Sequence, residues 1–558
     1  MLPPTLDRVL DTRRPRVLLA LFCLLLWLPG FFTLPPSDRD ESRFAQATRQ
    51  MLQSGDYVDI RNGASARNQK PIGIYWLQAP FAAAARATGV AHANPIWPYR
   101  IPSLLGGLLG VLATFDFGQR LVGRRAALLG AAMLGGSVLL AVETHIAKTD
   151  AALLAATTAA MGLLAGAYLR PGGFGTRDAA LFWLAVGAGV LIKGPITPMV
   201  AALAALSLAV TDRRAAWLGA LRPGWGVPLM LASVLPWFVA ITVATHGRFL
   251  AQSVGGDLGG KLAGGAESHG APPGYHLLLL SVTLFPSGLF VLRALPASWR
   301  MRREPGIRFL IAWALPSWLV FEAVPTKLPH YILPLLPPLC LLAARWVLDP
   351  ARIPAPRWLT AASTALFAAA AAVIGLAAAA LPAVVEAGLR PADLLGVPAL
   401  AAAALLAWLV LRALPDMARA SATGLLAIPL VLWSVLGLEL PAMTGLWIAP
   451  RAAAELAAHW PGGRPPEAAF GALGYAEPSL VFLCGTGTQL LGTPPEAARF
   501  LAGGPDRVLL VDAREIPAFK QEATRLGVTP HAFAELRGYN YSRGHPVALA
   551  LFDAAPPN

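Results

Sequence analysis

The chain alternates long apolar runs with short polar connections over most of its length. A membrane-spanning helix needs about 20 mainly apolar residues, and the pattern predicts about thirteen such helices. They lie near residues 17–35, 98–118, 125–142, 151–169, 178–193, 195–211, 226–245, 275–293, 308–322, 331–348, 358–381, 395–412 and 421–445. The fold class predicted for residues 1–445 is therefore an all-α polytopic membrane protein.

The pattern changes after residue 446. Short β-like runs, punctuated by Pro and Gly, occur at Ser479–Leu483, Arg507–Val511 and Pro546–Phe552, and a helical pattern covers Ile516–Leu526. Segments of this kind are typical of a small α/β fold with its own core. Residues 446–558 are therefore predicted to form a soluble α/β domain.

Composition agrees with a membrane protein. Hydrophobic residues make up 56% of the chain and charged residues only 14%, with a mean hydropathy of +0.56. The net charge of +14 could indicate nucleic-acid binding. The basic residues, however, lie in short clusters between apolar runs, as the positive-inside rule expects, so we expect no nucleic-acid partner.

These basic clusters predict the orientation. They occupy alternate loops, which should be cytoplasmic; their members include Arg124, Arg213, Arg302, Arg345 and Arg412. The first loop, residues 36–97, and the C-terminal domain then face the periplasm. Cys23, Cys340 and Cys484 are far apart in sequence and predict neither a disulfide framework nor a Cys-rich metal site.

The first external loop has two amphipathic segments. Asp38 can cap a helix that ends at Ser54-Gly55, on which Asp40 shares a face with Arg43 or Phe44. A second helix is predicted to begin at Pro71, directly after Lys70. A helix N-terminus with a Lys can bind a lipid phosphate. The alternative is that both helices lie at the interface with solvated charges.

Other external loops carry ionisable residues at the ends of spans. These segments are Glu143–Asp150, Lys193–Pro195, the long His246–His276 loop and Pro325–Pro334. Placing an ionisable side chain close to the membrane costs free energy unless it has a partner, so the accumulation of such residues favours a functional site. A single Lys or Tyr at this depth can instead anchor its helix at the membrane interface.

Several short motifs follow one another in a fixed order. They are Asp40-Glu41-x-Arg43-Phe44, Lys70-Pro71 with Tyr75-Trp76, Lys148-Thr149-Asp150, Lys193-Gly194-Pro195, and Lys327-Leu328-Pro329-His330-Tyr331. As an ordered set they resemble the GT-C glycosyltransferases of the aminoarabinose transferase and protein O-mannosyltransferase superfamily, which is related to glycosyltransferase family 39. The closing segment Gly538–Gly544 resembles the aminoarabinose branch.

The resemblance implies a hexosyl- or pentosyltransferase of the bacterial inner membrane. Its donor would be an undecaprenyl-phosphate-linked sugar and its acceptor lipid A or a related envelope glycolipid in the periplasm. The implied catalytic residues are Asp40 and Asp150, and the implied ligands of the donor phosphate are Lys70, Arg43 and Lys327. The implied substrate pocket contains Glu41, Phe44, Tyr75, Lys148, His269, His330 and Tyr331.

The resemblance leaves the sugar, the acceptor and metal dependence open. The family often has Glu before the Lys at position 70, where it can join a His in a metal site, but this chain has Gln69, a poor zinc ligand. A divalent metal is therefore disfavoured without being excluded, no metal ligand is predicted, and no cofactor is assigned. The alternatives are a protein O-glycosyltransferase of the mannosyl type, a lipid or sugar transporter with ionisable groups at the bilayer midplane, and a membrane scaffold.

Overall fold

The computed structural model describes residues 4–63, 65–89, 94–260, 270–385, 394–460 and 469–554. Most of them are helical. The helices up to residue 250 are α1 (Pro4–Leu10), α2 (Pro15–Trp27), α3 (Arg39–Ser54), α4 (Gly73–Ala87), α5 (Trp97–Val122), α6 (Arg124–Gly135), α7 (Val138–Thr144), α8 (Asp150–Leu169), α9 (Thr176–Lys193), α10 (Ile196–Asp212), α11 (Pro223–Ala244) and α12 (Arg248–Leu250).

The second half of the membrane part is more often interrupted. Its helices are α13 (Tyr275–Thr283), α14 (Gly288–Arg300), α15 (Pro305–Ala323), α16 (Leu336–Leu348), α17 (Arg357–Val385), α18 (Val397–Ala413), α19 (Met417–Leu432) and α20 (Leu440–Ala442). A 3-10 helix, Pro329–Leu335, precedes α16, and a π-helix, Trp433–Glu439, joins α19 to α20.

Every apolar run predicted to span the membrane contains a helix. Among the described residues, seven helices are long and apolar enough to cross a membrane, or up to eight if α6 and α7, bent by 60°, form one span. The runs at 275–293 and 421–445 are not single regular helices, because the backbone breaks between α13 and α14 and widens into a π-helix after α19. The polytopic fold is confirmed, and the number of spans stays a prediction.

Close packing of α5 against α8 sets the position of the loop that precedes α8. A Cβ added at Gly106 would lie 2.7 Å from the backbone of Ala151, so the two helices touch through their main chains. Small residues permit this approach where lipid provides no hydrophobic driving force. The contact places the N-terminus of α8, with Asp150, beside the external end of α5.

The first external loop folds as predicted, with one shift. α3 begins directly after Asp38 and ends at Gly55, whose φ of 73° is favourable for glycine. A two-stranded hairpin, β1 (Arg61–Asn62) and β2 (Ser65–Ala66), leads to α4. The predicted start of α4 was Pro71, but the helix begins at Gly73, so Lys70 lies two residues farther from the helix than expected.

The C-terminal part contains a five-stranded mixed sheet in the order β4-β3-β5-β7-β6. Its strands are β3 (Ala469–Leu473), β4 (Gln489–Leu491), β5 (Arg507–Asp512), β6 (Pro530–Asn540) and β7 (His545–Ala554), and its helices are α21 (Ile448–His459), α22 (Pro478–Cys484), α23 (Pro494–Ala502) and α24 (Ile516–Arg525). Val508 and Leu510 face one buried layer, and Leu509 and Val511 face the other. Both faces of the sheet are therefore covered.

One element of this domain was predicted wrongly. Ser479–Leu483 was expected to be a strand, but these residues lie in α22, which has Pro478 in its first turn. A run of only a few apolar residues has no resolvable period, and this one is buried on more than one side. The strands predicted near 507–511 and 546–552 and the helix near 516–526 are present.

Candidate active site

The N-terminus of α3 fixes the position of Asp40. Oδ1 of Asp38 accepts hydrogen bonds from the backbone N–H of Asp40 at 2.7 Å and of Glu41 at 3.1 Å. Asp40 Oδ1 in turn accepts from Nη1 of Arg43 at 3.1 Å and from Nη2 of Arg67 at 3.4 Å. Burial alone would raise the pKa of Asp40, but the two guanidinium groups dominate and lower it to about 2.

Arg67 is held by aromatic residues. Its buried guanidinium donates from Nε to Tyr75 Oη at 3.1 Å and lies over the Phe44 ring, 4.7 Å from the centroid. Phe44 and Tyr75 also contact each other, with ring centroids 5.4 Å apart. α3 and α4 thus form an aromatic support that presents one buried cation to Asp40.

A buried lysine joins α3 to the loop before α8. Lys148 Nζ lies 3.4 Å from Asp38 Oδ2 and 3.9 Å from Glu143 Oε1. Burial disfavours its charge, but the carboxylates of Glu143, Asp38 and Asp150 outweigh burial and raise the pKa of Lys148. Lys148 is therefore a permanent cation behind the capping residue of α3.

The next layer is formed by the ends of three further elements. Asp150, at the start of α8, accepts a short hydrogen bond from Lys193 Nζ at the end of α9. Lys193 also lies over the Tyr331 ring, 5.3 Å from its centroid. His330 Nδ1 lies 3.7 Å from Glu143 Oε1. Four segments that are distant in sequence thus converge on one polar cluster.

Glu41 points away from this cluster into the protein. It is fully buried, and Arg100 of α5 donates to both of its oxygens, at 2.7 Å from Nε and 3.1 Å from Nη2. The backbone N–H groups of Ala147 and Ser37 donate to the same carboxylate, each at 2.9 Å. Protein donors therefore occupy both oxygens, and the geometry favours a structural role over the predicted contact with substrate.

Two predicted phosphate ligands lie at the edge of the cluster. Lys70 is half-buried just before α4, whose Gly73 packs against the backbone of Leu191 in α9, so the start of α4 lies near Lys193. Lys327 is buried and donates to the backbone carbonyls of Ala271 at 2.8 Å and Val324 at 2.7 Å. No carboxylate within the described ranges pairs with Lys327.

Known proteins resemble this chain in both sequence and structure. Residues 69–239 match the family model described as dolichyl-phosphate-mannose-protein mannosyltransferase. The undecaprenyl phosphate-alpha-4-amino-4-deoxy-L-arabinose arabinosyl transferase of Pseudomonas aeruginosa strain PAO1 is 31% identical over 336 residues, which are 57% of this chain and 58% of that protein. The enzyme of the same name from Pectobacterium carotovorum is 30% identical over 64% of this chain and 65% of its own length.

The structural comparison extends over almost the whole chain. The crystal structure of ArnT from Cupriavidus metallidurans bound to undecaprenyl phosphate superposes with a TM-score of 0.72, covering 96% of this chain and 97% of that one at 20% identity. The chain therefore has the fold of that protein. The family model and the relatives named above agree with the resemblance inferred from the ordered motifs, although the sequence matches span less than two thirds of the length of these curated relatives.

Within this fold, most of the predicted site residues come together. Asp40, Arg43, Phe44, Tyr75, Lys148, Asp150, His330 and Tyr331 belong to the cluster described above. His269 lies outside the described residues. Sequence reasoning missed Arg67 and Arg100 and left Glu143 out of the site, since a single Arg in a loop or a span gives no periodic signal.

The described residues do not form a metal site. Within the described ranges, no group of three or more His, Cys, Asp or Glu side chains is arranged to hold a metal ion. Gln69 Oε1, at the position where the family often has Glu, lies 3.5 Å from Nη1 of Arg67. A guanidinium neighbour disfavours a metal cation there, and no chemical step below uses one.

Proposed function

We propose that the protein transfers a sugar from an undecaprenyl-phosphate-linked donor to a periplasmic acceptor, most simply a phosphate of lipid A or a related envelope glycolipid. The main support for this reaction is the position of Asp40, which is ionised and lies between Arg43 and Arg67 in a polar cluster at the ends of apolar helices. The names of the relatives, which specify an undecaprenyl phosphate sugar donor, support the same reaction. The cluster would then lie at the outer face of the inner membrane.

The reaction would be a displacement at the anomeric carbon. An acceptor oxygen attacks this carbon, and the bond to the donor phosphate oxygen breaks, with its electron pair leaving on undecaprenyl phosphate. This leaving group is already an anion, so cations can stabilise it without a general acid. We assign this role to Lys70, Arg43 and Lys327, and we assign Asp40 and Asp150 to the sugar and acceptor side.

The pKa of Asp40 favours an anionic acceptor. An effective general base has a pKa near the operating pH, whereas the pKa of Asp40 is held at about 2. Such a carboxylate is a weak base for removing a proton from a protein hydroxyl. A phosphate acceptor has no proton to lose, and Asp40 then serves to stabilise positive charge on the sugar.

An apolar groove lined in part by α13 can accommodate part of the lipid chain of the donor. It has a volume of about 320 Å³ and lies between α13, α14, α15 and α16, with Leu280 and Trp318 among its lining residues. α13 also carries His276, whose Nε2 lies 3.2 Å from the carbonyl of Leu328, next to Lys327. A phosphate near Lys327 would therefore place its prenyl chain beside apolar residues.

Lys70→Ala tests the phosphate assignment. Loss of a charge-assisted contact should weaken donor binding by about 1.5–3 kcal/mol and slow transfer. The measurement is binding and turnover of an undecaprenyl-phosphate sugar by the purified protein. Lys520→Ala, an exposed lysine of α24, is the matched control. Unchanged donor affinity and turnover in Lys70→Ala would refute the assignment.

Protein O-glycosylation is the second candidate. The match to the protein mannosyltransferase family model over residues 69–239 favours it specifically. Mass spectrometry of lipid A, glycans and envelope proteins from a deletion strain separates the two candidates. Loss of a sugar from lipid A supports the first, and loss of glycan from a protein with unchanged lipid A supports the second.

A further inference from the structure

The helix that carries Asp40 is enclosed on two sides. One side of α3 packs on the membrane helices through Glu41 and Phe44, as described above. The other side contacts the C-terminal domain: Ala45 packs with Phe482 of α22, and Phe482 also meets the Tyr99 ring at 5.4 Å. The C-terminal domain is thus in direct contact with the proposed catalytic helix.

Polar contacts hold α3 to this domain at both of its ends. At the N-terminus, Arg39 Nε lies 3.3 Å from Oε2 of Glu477, whose other oxygen accepts from Asn540 and Ser542. Glu477 is buried, so its position is fixed by the domain core. Arg39 directly precedes Asp40, and its anchor therefore bears on the orientation of the catalytic carboxylate.

The second half of α3 is held by the end of α22 and the turn after it. Arg49 donates from Nη1 to the carbonyl of Phe482 at 2.7 Å. The Thr486 hydroxyl accepts from Gln46 Nε2 and donates to Gln53 Oε1, both at 2.9 Å. These contacts are separated by more than 400 positions in sequence, so they form only when the C-terminal domain is docked.

We propose that the C-terminal domain is a positioning element for sugar transfer. Glu477, Phe482 and Thr486, here termed the clamp, fix α3 so that Asp40 meets Arg67, which lies outside this helix. α3 is short and strongly polar, and a helix of this kind owes its placement to tertiary packing. The inference rests on the proposed function, because it assigns the clamp to the alignment of a catalytic group.

The test weakens the clamp without touching the donor-binding lysines. Thr486→Val keeps the shape of the side chain and removes both hydrogen bonds, and Arg39→Gln removes the ion pair with Glu477. A misplacement of about 1 Å can cost on the order of a hundredfold in rate, so the double variant should lose roughly tenfold to hundredfold in kcat. Its KM for an undecaprenyl-phosphate sugar should rise less than kcat falls, since Lys70 and Lys327 lie outside α3 and only Arg43, among the assigned phosphate ligands, lies on it.

Thr488→Val is the matched control. Its hydroxyl donates to the carbonyl of Gly485 at 2.7 Å in the same turn but makes no bond to α3. The amount of folded enzyme is determined from the yield and from thermal unfolding, and turnover is divided by this amount. If the clamp only stabilised the fold, kcat expressed in this way would not change. Full turnover in the Arg39→Gln/Thr486→Val variant, or a raised KM with unchanged kcat, would overturn the proposal.

A second readout does not depend on sugar transfer. Ala45 is fully buried against Phe482. In an Ala45→Cys background we expect slow maleimide labelling, and the double variant should accelerate it whereas Thr488→Val should not. If the double variant is labelled faster but the wild-type enzyme transfers no sugar, the clamp is supported and the proposed reaction is refuted. Unchanged labelling together with unchanged kcat would refute the clamp.

A cross-link provides the rescue experiment. The Gln46 amide and the Thr486 hydroxyl are in contact, so cysteines at both positions, with Cys484→Ala to prevent mispairing, should be within reach of a short bifunctional thiol cross-linker. In an Arg39→Gln background the cross-linked enzyme should turn over faster than the same enzyme without the cross-linker. Equal turnover in both forms would contradict a positioning role.

Discussion

At the scale of single residues, the site combines an ionised carboxylate, Asp40, with the guanidinium groups of Arg43 and Arg67, which are held beside it. Arg67 is central, since it contacts Asp40, Tyr75 and Phe44 at once. The spacing of Asp40 and Arg43 along one helix allowed their pairing to be predicted from sequence. Arg67 could not be predicted, because its approach to Asp40 depends on the hairpin between α3 and α4.

Asp40→Asn should abolish sugar transfer, with at least about a hundredfold loss in kcat, while yield and thermal stability stay close to wild type. Asp40 is about half exposed, so its ion pairs contribute little to stability. Turnover by the purified variant is the measurement. Asp59→Asn, in the same loop and paired with Arg61, is the control and should remain active. Near-normal activity of Asp40→Asn would indicate that α3 is a helix at the membrane interface with solvated charges and not part of an active site.

Arg67→Gln should change the pH dependence of transfer. In the wild type, Asp40 stays ionised down to a pH of about 2, so its protonation does not limit activity near neutrality. Removing Arg67 takes away the largest cause that lowers the pKa of Asp40, while Arg43 and Lys148 remain, so this pKa should rise from about 2 toward the ordinary value of about 3.9. Activity should then fall as the pH decreases toward about 4, where the wild type is still unaffected by this group. A pH–rate profile without this acidic limb would contradict the assignment.

At the scale of elements, the ion pair between Glu41 and Arg100 joins α3 to α5. Glu41 is adjacent to Asp40 in sequence, yet the helical turn separates the two side chains, one toward the cluster and one toward the protein interior. Sequence periodicity predicts a helix here, on which adjacent positions point about 100° apart. It did not identify Arg100, because an Arg within an apolar run can equally be a snorkelling residue.

Glu41→Gln should strongly destabilise the protein. A buried pair that loses one charge leaves the other uncompensated, at a cost of about 3–5 kcal/mol. The apparent melting temperature in detergent is the measurement. Asp116→Asn is the control, because its partner Arg16 is mostly exposed and the pair should contribute no more than about 1 kcal/mol. Equal melting temperatures for the two variants would show that the buried pair is not a structural link.

Element types were predicted well where the apolar pattern is long. Every long apolar run contains a helix, and α3 begins at its predicted cap. The errors concern short segments, such as α22, where burial on several sides removes periodicity. The pairing of α22 with α3 lies beyond any local pattern, because it joins residues from opposite ends of the chain.

At the scale of the whole molecule, the alternation of basic loops predicts that the cluster and the C-terminal domain share one side of the membrane. Ser65, in the exposed β2 strand, should react with an impermeant maleimide in intact spheroplasts when replaced by Cys. Glu304→Cys, exposed in a loop predicted to be cytoplasmic, is the control and should react only after permeabilisation. The native cysteines are buried and should add little background. Protection of Ser65→Cys would reverse the proposed orientation.

Arg100 also has a consequence for biogenesis. Besides Glu41, its guanidinium donates to the carbonyls of Leu34 at 2.7 Å and Pro35 at 2.9 Å, where the chain leaves the membrane after α2. During synthesis the segment with Asp40 emerges before α5 does. Until α5 is inserted, the carboxylate of Glu41 and these carbonyls lack their shared donor. Maturation of this loop must therefore wait for a later membrane helix, so a ribosome-bound intermediate that ends before Arg100 should lack the ordered cluster around Asp40.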